Sequence, residues 1–221
     1  MERVVTWEVS TPQRGYQAPG SWPKGDVRIS SEDGTTTHVS IPVSVARRLT
    51  KMQREHELPN PIEQSRLMEV MQALMRDTAT QLVYRLLAKR DYSVLEVRKR
   101  LSAEGFPEDV ERRTVQHFMD AGLLSNQRFA DAFIRSKMSA GLGMKRIAYE
   151  LTKRGVDVDE LTGWPYAYAC PDEERARALA VALRKTVREP NAYAKMVRFL
   201  SGRGFSIAVS RSVAREVVLE S

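Results

Sequence analysis

Cysteine and histidine are scarce in this chain. Its 221 residues include one cysteine, Cys170, and three histidines scattered along the sequence, His38, His56 and His117. A single cysteine cannot form an internal disulfide, and the histidines do not stand at the spacing of a zinc site, so disulfide and zinc scaffolds are excluded. Because Cys170 has no histidine near it in sequence, we interpret it as a buried or inert thiol and not as a nucleophile.

Long apolar runs are missing as well. Hydrophobic residues make up 42% of the chain, but they are scattered at helical spacing and form no run of bilayer length. The amino terminus lacks the basic segment followed by an apolar segment that marks a secretory signal. We therefore expect a folded cytoplasmic protein with a real core and no membrane contact.

The sequence also shows no group of nucleophilic, acid-base or metal-binding side chains that could meet in one active site. Gly141-Leu142-Gly143 resembles half of a phosphate loop, but it follows a helical pattern and lacks the third glycine and the lysine-serine pair. It is more typical of a helix stop followed by a helix start. We therefore expect no enzyme, with no catalytic residues, no metal and no cofactor.

One short sequence motif, Leu-x-x-x-Gly followed by an apolar residue, is present three times, at spacings of 50 and 49 residues. A glycine followed by an apolar residue at the end of a helical pattern indicates a Schellman stop, in which the glycine is left-handed and the next residue packs on the leucine. Such repetition favours an array of small helical modules that presents a long surface. The three copies are Leu101-x-x-x-Gly105-Phe106, Leu151-x-x-x-Gly155-Val156 and Leu200-x-x-x-Gly204-Phe205.

The amino-terminal part has a different pattern. Three β-prone segments, 4–9, 26–30 and 36–41, with a turn signal at 32–35, predict a hairpin or small sheet. A stretch rich in proline and glycine between the first two segments predicts a long, mobile loop, and a short helix should follow Pro42.

From Ile62 onward the apolar spacing is helical. Ser93 and Glu96 form a capping box, Pro107 should be the first residue of a helix, and Ser125 or Asn126 should cap another. The segment 157–170 predicts a degenerate or shortened helix and a loop, and Pro190 predicts a break.

The predicted fold is mainly α, with three tandem three-helix repeats in an elongated array after a small β-rich segment. Its predicted domains are the β-rich extension 1–61, repeat 1 at 62–123, repeat 2 at 124–170 and repeat 3 at 171–221.

The positive charge is concentrated in the helical part. Residues 1–70 hold nine basic and nine acidic side chains, whereas residues 71–221 hold 26 and 19. The densest stretch, 128–154, has seven basic side chains against two acidic ones, which favours a polyanionic partner. Phe129, Phe133 and Tyr149 fall at helical intervals in this stretch, and we interpret them as core residues and not as base-stacking platforms.

These residues resemble a known family. The segments Arg128-Phe129-Ala130-x-x-Phe133-Ile134-Arg135-x-Lys137 and Gly141-x-Gly143-x-Lys145-Arg146-Ile147-x-x-Glu150-Leu151-x-x-Arg154-Gly155-Val156 resemble the central signature of the RecX regulatory proteins. Leu86-Leu87-Ala88-Lys89-Arg90-Asp91-Tyr92-Ser93-x-x-Glu96-Val97-x-x-Arg100-Leu101 resembles the first repeat of that family, and Phe199-Leu200-x-x-Arg203-Gly204-Phe205-Ser206 its third.

The resemblance implies a non-enzymatic regulator of the recombinase RecA. Such a protein binds the RecA filament on single-stranded DNA and limits its ATPase, strand-exchange and coprotease activities in recombination, DNA repair and the SOS response. The resemblance implies weak, sequence-independent binding to single-stranded DNA and does not decide whether double-stranded DNA is also bound. We expect a monomer. The contact candidates carried over are the basic residues of the matching motifs: Arg90, Arg98, Arg100, Arg128, Arg135, Lys137, Lys145, Arg146, Arg154 and Arg203.

Two other classes of function stay open at this point. A basic three-helix unit with glycine turns is also typical of helix-turn-helix modules, so a sequence-specific DNA-binding regulator is the main alternative. An enzyme with a pocket lined by Trp7, Trp22 and His38 is a weaker alternative, because no acid-base or nucleophile pair accompanies them.

Overall fold

The protein is described from a computed structural model that covers residues 3–12, 24–185 and 191–219. The predicted loop between the first two strands (13–23, including Trp22) and the predicted break at Pro190 lie outside the described residues. The chain divides into two compact units, Met1–Leu124 and Ser125–Ser221.

The first unit begins with an antiparallel sheet in the order β3-β2-β1-β4. Its strands are β1 (Val4–Ser10), β2 (Lys24–Ser31), β3 (Thr36–Pro42) and β4 (Ile62–Glu63). Side chains alternate between the two faces of a strand, and the buried set of β1 and β2 includes Trp7, which lies opposite Ile29. The three predicted strands are confirmed. The two-residue strand β4 was not predicted, because so short a segment has no visible alternation.

Trp7 is a structural anchor of this sheet. Its side chain is 0% exposed, and its indole N–H donates to the carbonyl of Pro59 at 3.0 Å. The side-chain amide of Asn60 takes the place of a neighbouring strand, since it accepts from the Trp7 backbone N–H at 3.2 Å and donates to the Trp7 carbonyl at 2.8 Å. His38 is a surface residue, 61% exposed and 2.8 Å from an Asp26 carboxylate oxygen. The structure therefore gives no support to a pocket formed by Trp7 and His38.

Four helices accompany the sheet in the described part of the first unit. They are α1 (Val43–Arg54), α2 (Gln64–Leu87), α3 (Val94–Ala103) and α4 (Glu108–Asp120). The capping box before α3 is confirmed, with the Glu96 backbone N–H donating to the Ser93 hydroxyl at 3.1 Å. Pro107 is the N-cap of α4 and not its first helical residue, so that prediction was wrong by one position. One continuous core runs from the sheet through α4, and the four-part division at residues 61, 123 and 170 stays a prediction about folding units.

The second unit holds α5 (Asn126–Ser139), α6 (Met144–Thr152), α7 (Pro171–Leu183), α8 (Ala192–Gly202) and α9 (Ile207–Leu219). Ser125 caps α5, since its hydroxyl accepts from the Arg128 backbone N–H at 3.3 Å. Between α6 and α7 the chain forms turns in place of a third helix. The hydroxyl of Tyr168 fixes this segment to α5, because it donates to an Asp131 carboxylate oxygen at 2.6 Å and accepts from Gln127 at 2.8 Å.

The three repeated phrases all end their helices as Schellman stops. Gly105, Gly155 and Gly204 have φ of +86°, +71° and +92°. In each stop the N–H of the residue after the glycine donates to the leucine carbonyl five positions earlier, at 3.2, 3.1 and 3.3 Å. The leucines and the apolar residues after the glycines are buried. The stops predicted from sequence are therefore confirmed in all three copies.

The mainly α fold class with a small amino-terminal sheet is confirmed. Within the described ranges, none of the helices has both the length and the apolar character that crossing a membrane requires.

Candidate nucleic-acid interface

The three candidates in the first unit lie on or near α3, and each one faces a carboxylate. Arg98 Nε lies 2.9 Å from Oε1 of Glu111, a residue that is buried on α4. Arg100 pairs with Glu104 at 2.7 Å, and Arg90 lies 2.9 Å from Glu96. Arg98 thus links α3 to α4, whereas Arg90 and Arg100 pair with carboxylates close to them in sequence, and the charges of all three are largely balanced locally.

Seven candidates belong to the second unit, and three of them converge on one carboxylate. Glu150, on α6, has a side chain that is only 16% exposed. Its oxygens lie 3.4 Å from Lys137 Nζ, 3.2 Å from Arg146 Nε and 3.8 Å from Arg154 Nη1. Burial opposes ionisation of Glu150, but hydrogen bonds from Arg146 and Lys137 outweigh it and hold its pKa below the ordinary value. Three cations around one carboxylate leave an excess of positive charge.

Phe133 supports two of these cations. Its ring stacks on that of Phe129 at 5.6 Å between centroids. Lys137 Nζ lies 5.1 Å and Arg154 Cζ 4.6 Å from the Phe133 centroid, within the range of cation–π attraction. Arg154 also donates to the Glu150 carbonyl at 2.8 Å. Phe133 is therefore a packing residue, as expected, and Arg154 is held firmly in place.

The outer side of α6 carries Lys145, Arg146, Tyr149 and Lys153, which we call the α6 face. Tyr149 is 50% exposed, with Lys153 Nζ at 4.5 Å and Arg146 Cζ at 5.5 Å from its ring centroid. A hydrogen bond from Lys153 and its positive charge lower the pKa of the Tyr149 hydroxyl. The prediction that Tyr149 is a core residue was wrong.

A helical wheel would have placed Tyr149 correctly. Ile147 and Leu151 are the buried positions of α6, and at about 100° per residue Tyr149 lies on the opposite side of the helix from both. Lys153, at the C-cap of α6, is the other member of the face that the candidate set did not include.

The N-terminus of α6, and with it the α6 face, is held by the turn between α8 and α9. The N-cap of α6 is Gly143, which offers no side-chain cap. The Gly143 N–H donates instead to the Arg203 carbonyl at 2.9 Å and the Lys145 N–H to the Gly204 carbonyl at 3.2 Å. The Met144 N–H donates to a Glu174 carboxylate oxygen at 3.3 Å. The turn between α8 and α9 therefore caps α6. Its carbonyl groups accept from backbone N–H groups that a helix N-terminus otherwise leaves unpaired.

The close approach explains why glycine is present on both sides of this contact. A Cβ on Gly143 would overlap the backbone of Gly204, and a Cβ on Gly204 would overlap the backbone of Arg146. Arg203 strengthens the same contact from the side, since its Nη1 donates to the carbonyls of Ala140 and Gly141 at 3.3 and 3.4 Å.

The remaining candidates, Arg128 and Arg135, lie exposed on α5. Cys170 is exposed at the N-cap of α7, so it is not a buried thiol, and the alternative that it is an inert thiol stays a prediction. In the part of the chain that the structure describes, no group of three histidine, cysteine, aspartate or glutamate side chains could hold a metal ion.

Comparison with known proteins points to one family. The family profile described as "RecX, second three-helix domain" matches residues 125–160. Regulatory protein RecX of Chromohalobacter salexigens is 40% identical over 140 residues, which cover 62% of this chain and 89% of the relative. Regulatory protein RecX of Mycolicibacterium smegmatis is 32% identical over 148 residues, which cover 64% of this chain and 78% of the relative.

Two solved structures share the fold. The crystal structure of RecX from Lactobacillus salivarius superposes with a TM-score of 0.57 at 19% identity and covers 66% of this chain and 99% of its own. A second crystal structure, of a regulatory protein RecX, gives a TM-score of 0.60 at 14% identity and covers 99% and 100%. At these identities the likeness shows the fold alone.

The sequence relatives add what the fold alone does not. The Chromohalobacter relative matches at 40% identity over nearly its whole length, and the profile match falls on the helices that carry the Glu150 cluster and the α6 face. The chain therefore belongs to the RecX family of regulatory proteins.

Proposed function

We propose that this protein binds the RecA filament on single-stranded DNA and limits its ATP hydrolysis, strand exchange and coprotease activity. In that way it modulates recombination, DNA repair and the SOS response. Membership of the RecX family supports the proposal, and the observation that carries it is the basic, aromatic α6 face on a rigidly capped helix. We expect it to act in the cytoplasm, as a monomer.

The composition of the α6 face suits a partner with a repeating negative charge. Lys145, Arg146 and Lys153 supply three cations, and Tyr149 exposes half of its surface among them. Cations neutralise phosphates without regard to sequence, and an exposed aromatic ring stacks on any base. A surface of this kind supports weak, salt-sensitive binding along a filament that contains DNA.

Regulation by this route requires no catalysis. A protein that binds one state of a filament more tightly than another shifts the balance between growth and disassembly by mass action. Binding that spans neighbouring RecA subunits would add to the effect, because the second contact is then intramolecular. We therefore propose a non-enzymatic regulator.

A sequence-specific DNA-binding regulator is the competing class. The α6 segment contains no asparagine or glutamine, the side chains that read adenine in the major groove, but Lys145 and Arg146 are of the types that read guanine. The cations and the tyrosine of the α6 face are also suited to phosphate contact and stacking, so a sequence-selection experiment separates the two classes. A strong preference for one duplex in a sequence-selection experiment would contradict the RecA proposal in this respect.

Filament binding tests the proposal directly. RecA filaments are assembled on single-stranded DNA with a slowly hydrolysed ATP analogue, and the labelled protein is co-sedimented with them. We expect the wild type to sediment with filaments and Lys145→Glu/Lys153→Glu to lose most of its binding. Arg211→Glu/Arg215→Glu, which makes the same change in charge at exposed positions of α9, is the matched control and should bind nearly as well as the wild type. Equal losses in both variants would remove the α6 face from the mechanism.

A further inference from the structure

The second unit contains a cationic cleft. Of the contact residues predicted from sequence, only Arg203 lines it. The end of α5 and helices α7 and α8 line an open cleft of about 440 Å³, a volume typical of small-ligand sites. Four of its lining side chains are cations, Arg177, Arg184, Lys185 and Arg203, and among the described residues none that lines it is acidic.

Arg177 is half-buried, whereas Arg184 and Lys185 are exposed. Its Nη1 donates to the Leu142 carbonyl at 3.2 Å. Its Nε and Nη2 are buried and have no hydrogen-bond partner in the structure. These two nitrogens form one edge of the guanidinium, the edge that takes both oxygens of an oxyanion in a bidentate pair. Burial lowers the pKa of Arg177, with the charges of Glu174 and Glu173 acting against this effect.

Two of the other cations lie beside an aromatic ring that lines the cleft. Lys185 Nζ lies 5.5 Å and Arg203 Cζ 5.0 Å from the centroid of Phe199. Arg184 and Lys185 are exposed at the end of α7. The cleft thus combines exposed charges, an aromatic side chain, and an arginine with a buried and unpaired guanidinium edge.

This combination favours nucleic acid over an acidic peptide. A nucleic-acid strand carries one negative charge per nucleotide at regular spacing, and it alternates phosphates with bases that stack on aromatic and guanidinium planes. An acidic peptide would use the cations, but it would have no use for the ring of Phe199. An open cleft, in contrast to a flat surface, suits a flexible single strand.

We infer that this cleft binds the phosphodiester backbone of single-stranded nucleic acid, with Arg177 holding one phosphate and Arg184 and Lys185 contacting its neighbours. The inference rests on the proposed function in taking single-stranded DNA as the ligand. It adds a second DNA contact, separate from the α6 face, at the junction between the second and third repeats.

The test measures DNA binding by the full chain in the absence of RecA. Fluorescence anisotropy of labelled oligothymidylate is recorded over a series of salt concentrations. Arg184→Ala/Lys185→Ala should weaken binding roughly fivefold or more at 0.1 M salt and reduce the slope of log K against log salt by about 1.4, as the loss of two phosphate contacts on a single strand requires. The matched control Arg198→Ala/Arg211→Ala removes two exposed cations outside the cleft and should change affinity less than about twofold.

A conservative variant separates bidentate binding from net charge. Arg177→Lys keeps the charge and a donor for the Leu142 carbonyl but loses the fork, so affinity should fall roughly fivefold with an unchanged circular dichroism spectrum. The inference is overturned if the cleft and control variants lose affinity equally, if the wild type does not bind oligothymidylate, or if polyglutamate displaces the DNA at equal charge concentration. Inhibition of RecA is assayed separately, so a protein that inhibits RecA but fails this test would retain the proposed function and lose the cleft.

Discussion

Replacing Gly204 with alanine should destabilise the protein far more than replacing Gly155, although the two glycines end their helices in the same way. Both are left-handed, with φ of +92° and +71°. Alanine in this conformation costs about 1 kcal/mol. Gly155 is exposed, so this backbone cost should be most of the effect of Gly155→Ala.

Gly204 carries an additional cost because it is buried against α6. A Cβ there would overlap both Cβ and the backbone nitrogen of Arg146, so the helix itself must move. That movement strains the hydrogen bonds from Gly143 to the Arg203 carbonyl and from Lys145 to the Gly204 carbonyl, each contributing about 1 kcal/mol. The expected destabilisation by Gly204→Ala is therefore about 3 kcal/mol.

Thermal unfolding followed by circular dichroism at 222 nm measures the difference. For a chain of this size 1 kcal/mol corresponds to about 3 °C, so Tm should fall by about 3 °C for Gly155→Ala and about 9 °C for Gly204→Ala. Gly105→Ala is the control, because its Cβ would meet only the flexible side chain of Lys24, at 3.4 Å, and its Tm should match that of Gly155→Ala. Equal shifts at Gly155 and Gly204 would refute the capping of α6 by the turn between α8 and α9.

Four further predictions concern polar contacts that hold the fold together. Arg154→Glu should lower stability by about 1 kcal/mol or more in urea titrations, because it places a like charge beside Glu150, whereas Arg154→Gln should cost less. Folding lowers the pKa of Glu150, so the ionised carboxylate stabilises the fold above the ordinary pKa of a glutamate, and this stabilisation is lost as the pH falls through the lowered pKa. Glu150→Gln should therefore lose less stability than the wild type between pH 7 and pH 3. An identical loss would contradict the role given to the Glu150 carboxylate. Tyr168→Phe should lower stability by about 1 kcal/mol. Burial and Asp131 raise the pKa of Tyr168 to about 12, so the neutral phenol stabilises the fold fully below the ordinary pKa of a tyrosine and less as the pH rises toward 12. In a titration followed by absorbance at 295 nm, the variant should lack one tyrosine that ionises at higher pH than the others. Asn60→Ala should cost about 1 to 2 kcal/mol, because it leaves the backbone groups of Trp7 unpaired, and an unchanged urea midpoint would refute the role of the Asn60 amide.

The features predicted correctly from sequence are those whose causes are local. The Schellman stops at Gly105, Gly155 and Gly204 depend on a glycine and on apolar residues within six positions of one another, and all three are present. The capping box at Ser93 likewise depends on a residue three positions away.

The features that sequence did not predict depend on distant parts of the chain. β4 forms because Ile62 finds Val5 across the sheet. The cap of α6 comes from the turn at Gly204, and the buried fork of Arg177 becomes visible only when α7 packs beside the end of α5. The sequence shows that Glu150 and several cations are present, but it does not show that three of these cations meet at Glu150.

The most direct test of RecA regulation is the single-stranded-DNA-dependent ATP hydrolysis of RecA. The protein is added in substoichiometric amounts to preformed filaments, with excess DNA present so that sequestration of DNA is controlled. The family assignment and the basic surfaces of the second unit predict a falling rate of hydrolysis, with Lys145→Glu/Lys153→Glu much less effective and Arg211→Glu/Arg215→Glu as effective as the wild type. A rate that stays unchanged at every concentration of the wild type would contradict regulation of RecA by this protein.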